Sequence, residues 1–121
     1  MQVFRKLRVW RRSHALLLRL YAETRTFPAD ERYGLTSQIR RAAVSVTANI
    51  AEGSRRQSPV EYARFLNLSQ GSLAELECLV LAGRDLGYLA APAAQEVLSE
   101  GDDIARMLER LRIAVLRAVK R

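Results

Sequence analysis

The residues able to do chemistry in this 121-residue sequence are few. His14 is its one histidine and falls at helical spacing among Leu7, Trp10, Leu17, Leu18 and Tyr21, so it reads as a core or boundary side chain. A di-iron bundle requires Glu-x-x-His pairs on two helices, which one histidine cannot supply. A Ser-His-Asp arrangement would have to use the same His14, and zinc spacing, a P-loop and a dinucleotide glycine fingerprint are absent. Cys78, the lone cysteine, has no partner for an internal bridge, and its setting ELECLVLA reads as a small buried apolar position in a helix. The expectation is a protein with no catalytic residue, no metal ligand and no cofactor.

What remains is arginine. Of the 20 cationic residues 18 are arginine, and the formal net charge is +7. The planar guanidinium matches phosphate and carboxylate better than an ammonium does. A high-GC genome would explain the arginine-to-lysine ratio but not the excess of positive charge. The start, MQVFRKLRVWRR, meets charge before any apolar run long enough for a signal sequence or a membrane span. A soluble, cytoplasmic protein without a membrane partner is expected.

Helices must position these charges. The stretch QIRRAAVSVTANIAEG carries Ile39, Ala42, Val46 and Ile50 on one face, with Ser45 and Asn49 on or beside it and Gly53 as a left-handed C-terminal stop. Before it, Leu7, Trp10, His14, Leu17, Leu18 and Tyr21 mark a first helix ending at FPADE. After it, Ser58, Pro59 and Glu61 spell an N-cap, a first-turn proline and a capping box. The third helix then runs toward Gly87, and a fourth spans about Pro92 to Val119, with Val97, Ile104, Leu108, Leu111, Val115 and Val119 on its core stripe and Gly101 denting it.

Four long helices with short connections predict an all-α, up-down-up-down antiparallel four-helix bundle forming a single domain over residues 1–121. That topology gathers Arg5, Lys6, Arg8, Arg11, Arg12, Arg55, Arg56, Arg64, Arg117, Lys120 and Arg121 at one pole. It leaves Glu52 and Glu61 among them and sends Glu23, Asp30, Glu31, Asp85, Glu96, Glu100, Asp102 and Asp103, with Arg25, Arg32 and Arg84, to the other. Arg40 and Arg41 stand about 100° apart around their helix, so one should face inward and need a carboxylate. Antiparallel pairing predicts an Arg41–Glu75 ion pair, with Asn49 a further structural polar residue.

The segments YGLTSQIRRAAVSVTANIAEGSRR, GSLAELE (Gly71 to Glu77) and RDLGYL (Arg84 to Leu89) together resemble the four-helix bundle proteins encoded in intervening sequences of bacterial 23S ribosomal RNA genes. The same bundle resembles the accessory variability protein of diversity-generating retroelements. The likeness runs from FRKLRVW to about Leu89 and weakens through the fourth helix. It implies a left-handed antiparallel bundle that assembles into a ring, often a homopentamer, with a positive surface toward nucleic acid; the retroelement relative also binds a reverse transcriptase. Gln38, Arg40, Arg41, Asn49, Glu52, Gly71, Ser72 and Glu75 match the family's polar and small positions and read mostly as architectural.

The fourth helix adds its own signal. Leu98, Ile113 and Leu116 lie off its core stripe and are expected at an oligomer interface. Two functions follow from these readings. One is binding of RNA or DNA backbone by a homo-oligomer through Arg5, Lys6, Arg8, Arg11, Arg12, Arg55 and Arg56. The other is an adaptor for an acidic protein or a nucleic-acid enzyme such as a reverse transcriptase.

Overall fold

A computed structural model describes residues 3–118, with side chains from Phe4 onward. A short 3-10 turn, Val3–Lys6, leads into helix α1, Arg8–Glu23; α2 is Leu35–Ser54, α3 Pro59–Asp85 and α4 Ala91–Arg117. No strand occurs among the described residues. At about 1.5 Å per residue, α3 and α4 each extend roughly 40 Å, and the shorter α1 is extended by the 3-10 turns Thr24–Thr26 and Ala29–Glu31 before α2 begins.

Contacts between helices fix the antiparallel register. Arg40, near the start of α2, hydrogen-bonds Thr24 Oγ1 at 2.9 Å and the Tyr21 carbonyl at 3.2 Å, beyond and within the last turn of α1. Ser69 of α3 donates to the Val46 carbonyl of α2 at 2.8 Å. Gln70 of α3 donates to the Ala105 carbonyl of α4 at 3.1 Å. Arg19 reaches Glu96 at 2.7 Å and Arg12 reaches Glu100 at 2.6 Å, closing α1 against α4. The up-down-up-down bundle is the fold.

Its core is hydrocarbon on all four helices: Leu20, Ile39, Ile50, Leu66, Ile104 and Leu108 are at most 1% exposed. The α2 and α4 stripes face inward as their periodicity predicts, Leu111 and Val115 at the edge of the core, except that Val119 lies outside the described residues. On α1 the period is right but the face is turned. Val9, Ser13, Leu16 and Leu20 are buried, while Leu18 and Tyr21 are exposed and Leu7, Trp10 and Leu17 pack at the edge. The pattern hid this because the inward face includes a serine, whose hydroxyl is satisfied by the Val9 carbonyl at 2.8 Å.

Helix ends also depart in detail. Ser58 caps α3 by accepting from the Glu61 amide at 3.2 Å, but the Glu61 carboxylate turns to Arg64 instead of closing a capping box. Gly53 is not a left-handed stop: it lies inside α2, and the only positive φ among the described residues belongs to Gly87, at 83°, which turns the chain after α3. Gly34, lacking a side chain, precedes α2, and the Glu31 carboxylate accepts from the Leu35 amide at 2.9 Å in place of an N-cap side chain. Cys78, expected to be buried, is exposed on α3.

Candidate nucleic-acid interface

The candidate site is built from the Val3–Lys6 turn, the first turn of α1 and the last turn of α2. Phe4 meets Trp10 edge-on at 5.2 Å, and Trp10 stacks on His14 at 4.8 Å and 11°. This aromatic string pins the N-terminal turn onto the bundle. It also occupies one face of the Trp10 ring with His14 and meets Trp10 a second time with Phe4. Arg5, Lys6, Arg8 and Arg11 project outward from the pinned turn and are exposed.

The register carries Arg55 to the same end. Arg40 lies level with Tyr21 and Thr24, and following the antiparallel pair to its other end brings Arg8 alongside the turn that holds Arg55. Arg55 is the C-cap residue of α2 and is exposed. Arg117, exposed in the last turn of α4, points out at this end too; Lys120 and Arg121 lie outside the described residues.

Several expected cations are neutralised by neighbours. Arg12 forks onto Glu100, with Nε–Oε2 at 2.6 Å and Nη2–Oε1 at 2.8 Å, and also meets Asp103 at 3.1 Å. Glu100 and Asp103 therefore sit against the second turn of α1, toward the basic end, and not at the far pole. Arg12 is half-buried and links α1 to α4, its guanidinium taken up by the two carboxylates. Arg56 pairs with Glu52 at 2.7 Å, Arg64 pairs with Glu61 at 3.1 Å, and both guanidiniums lie over the Phe65 ring at 4.8 and 4.7 Å. Among the described residues, Arg5, Lys6, Arg8, Arg11 and Arg55 have no salt-bridge partner.

The placement of Arg8 and Arg11 works against helix stability. The first turn of α1 holds no acidic residue, and cations near a helix N-terminus oppose the macrodipole by about 0.3–1 kcal/mol each. The same dipole adds to their positive potential, so the end of α1 attracts anions twice over.

The Arg12 cluster makes a pH prediction. Hydrogen bonds from Arg12 and then Arg106 hold the Asp103 carboxyl below its ordinary range. Its folded-state pKa is thus depressed, so its contribution is present above about pH 4 and is lost as pH falls through the lower folded value. Between pH 5 and 2, thermal melts of Asp103→Asn should change less steeply with pH than those of the parent protein.

The structural polar residues rearrange. Arg41 and Glu75 line a common surface depression but form no ion pair, and both are exposed, because each solvated end stays cheaper in water than desolvated against the other. The arginine that turns inward is Arg40, and it takes a hydroxyl, a carbonyl and the Tyr21 ring at 4.4 Å in place of a carboxylate. Asn49 donates to the Ser45 carbonyl at 2.9 Å and hydroxyl at 3.1 Å, and Ser45 and Ser72 hydrogen-bond across α2 and α3 at 2.7 Å.

The proposed interface residues on α4 separate. Leu98 is half-buried, packing against the core beside Ala74, Gly101 and Ala105. Ile113 is 40% exposed, and Leu116 is half-buried outside the core cluster. No grouping of His, Cys, Asp and Glu suited to a metal occurs among the described residues, and no described helix is long and apolar enough to cross a membrane.

Residues 5–110 match the family model described as 23S rRNA-intervening sequence protein. A solved structure from Bacteroides thetaiotaomicron VPI-5482, described as a protein with unknown function from the S23 ribosomal protein family, superposes with a TM-score of 0.77. It is 20% identical, and the alignment covers 86% of this chain and 97% of that one, which establishes a shared fold. No curated protein matches the chain.

Proposed function

The chain belongs to the family of 23S rRNA-intervening sequence proteins, and on that footing we propose that it is a non-enzymatic cytoplasmic bundle that holds the backbone of RNA or DNA. The observation that carries this reading is the set of exposed cations without acidic partners, Arg5, Lys6, Arg8, Arg11 and Arg55, sharing one end of the bundle. Cations so placed neutralise phosphates and release counterions without reading bases. The nearby aromatics pack on one another, which fits backbone contact better than base stacking.

A gel shift with a 23S ribosomal RNA fragment tests it. Five phosphate contacts imply that affinity falls by about 10²–10³-fold between 50 and 200 mM salt. A shift that ignores salt, or none at 50 mM salt, refutes backbone binding and points to an acidic protein partner.

We also propose that the working form is a homo-oligomer, which would join the basic ends of several subunits into one surface. Exposed Ile113 beside half-buried Leu116 on the last turns of α4 supports this. Light scattering at micromolar concentration should give a mass several times that of one chain, and Ile113→Asp should reduce it. A monomer under those conditions rejects the assembly.

A further inference from the structure

Midway along the bundle, away from the basic end, the packing of α3 against α4 is incomplete. Leu16, Leu73, Leu76, Val80 and Val97, all buried, floor a cleft of about 130 Å³. The gap exists because Ala74, Gly101 and Ala105 are small where the two helices face each other. Its size approaches that of the engineered hydrocarbon cavity of roughly 150 Å³ that stays dry and accepts benzene.

The mouth has a different character. Glu77 of α3 and Asp102 of α4 are exposed members of the lining, and neither takes part in a salt bridge among the described residues, in a chain otherwise rich in arginine. Gln70, at the same cleft, gives one amide N–H to the Ala105 carbonyl and keeps its carbonyl oxygen and its second N–H. The charged groups offered, Glu77 and Asp102, are thus both acceptors.

Gly101 gives an independent reason to regard the cleft as kept open. Glycine is among the poorest helix formers, yet it sits inside α4, where a Cβ would meet only Leu73 Cδ1 at an ordinary 3.8 Å. The fold does not require a glycine there. What glycine does is leave space beside Leu73.

We propose that this cleft binds a small organic cation, with an apolar body of about the size of a phenyl ring seated on the leucines and an ammonium or guanidinium head between Glu77 and Asp102. Hydrocarbon walls supply most of the attraction. The carboxylates select sign: they favour a cation and repel an anion of the same shape. This site is separate from the basic end, and its success or failure leaves the nucleic-acid reading untouched.

The test uses 2-phenylethylammonium, with 2-phenylethanol and 3-phenylpropionate as neutral and anionic counterparts, followed by calorimetry and by amide chemical shifts. The ammonium should bind saturably, one per chain, with shifts centred on Ala74, Leu98 and Gly101. The alcohol should bind about three- to tenfold more weakly, since exposed charges add modestly, and the carboxylate not at all. Glu77→Gln/Asp102→Asn should bring the ammonium down to the level of the alcohol. Gly101→Leu, which places a side chain in the cleft, should weaken binding by about tenfold or more while the variant still melts cooperatively. Absence of saturable binding, equal binding of the anion, or full binding by Gly101→Leu overturns the proposal. So does a change of oligomeric mass in Gly101→Leu with no probe bound by the parent protein, which would assign the cleft to a second copy of the chain.

Discussion

Gly53→Val should lower the melting temperature by roughly 10 °C, a loss of about 2–3 kcal/mol for a domain of this size. A Cβ at position 53 would stand 2.7 Å from the Phe65 Cβ, 3.2 Å from Tyr62 Cδ1 and 3.3 Å from the Tyr62 carbonyl oxygen. The obstruction is the root of a side chain and a backbone atom of α3, so no rotamer change relieves it; α2 and α3 must separate. Phe65 also carries the Arg56 and Arg64 guanidiniums on its ring, and a shift there disturbs both. Gly53→Ala should cost less, because alanine's better helix propensity returns about 1 kcal/mol.

The opposite sign is expected at Gly71. It lies inside α3 with nothing within 4 Å of an added Cβ, so Gly71→Ala should raise stability by about 0.5–1 kcal/mol. Urea melts of these variants separate steric contact from helix propensity. If Gly53→Val matched the parent protein, the close approach of α2 and α3 would be wrong.

The second large effect concerns binding. Arg8→Glu/Arg11→Glu/Arg55→Glu replaces cations that have no acidic partner in the fold with anions, and should weaken RNA affinity by about 100-fold or more at 50 mM salt. Stability should hardly change, because the glutamates suit the helix dipole at the start of α1 while Arg55→Glu opposes it at the end of α2. Arg12→Ala should do the reverse. It leaves Glu100 without its partner, while Asp103 keeps Arg106, and destabilises the fold by about 1 kcal/mol, while RNA affinity stays within about twofold of the parent. Equal losses of affinity for the triple variant and Arg12→Ala would mean that total charge, and not its location, controls binding.

Much of the fold was legible along the chain because helices report themselves locally. The Ser58–Pro59 start of α3, the Ile39–Ala42–Val46–Ile50 stripe of α2 and the Ile104–Leu108 pair of α4 all stand where periodicity and capping put them. The face of α1 was harder to read: Leu18 and Tyr21 look like core residues in a list of hydrophobicities, yet water reaches them because Ser13 takes the inward place. Cys78 misleads for the same reason. An apolar neighbourhood in sequence does not say which side of a long helix faces a partner.

The basic end was legible in sign and in place, but not which of its cations are paired. Charge and antiparallel threading, both properties of the sequence, bring Arg5, Lys6, Arg8, Arg11 and Arg55 to one end. Which arginines stay without an acidic partner was decided by tertiary structure alone. Arg12 meets Glu100, 88 residues away, only because α1 docks on α4 in one rotation and register; Arg40, not Arg41, turns inward because Tyr21 and Thr24 happen to lie under it. Composition and short-range spacing set how many charges there are and on which helix they ride. Pairing depends on ångström distances between residues far apart in the chain, and those distances exist only once the helices have packed.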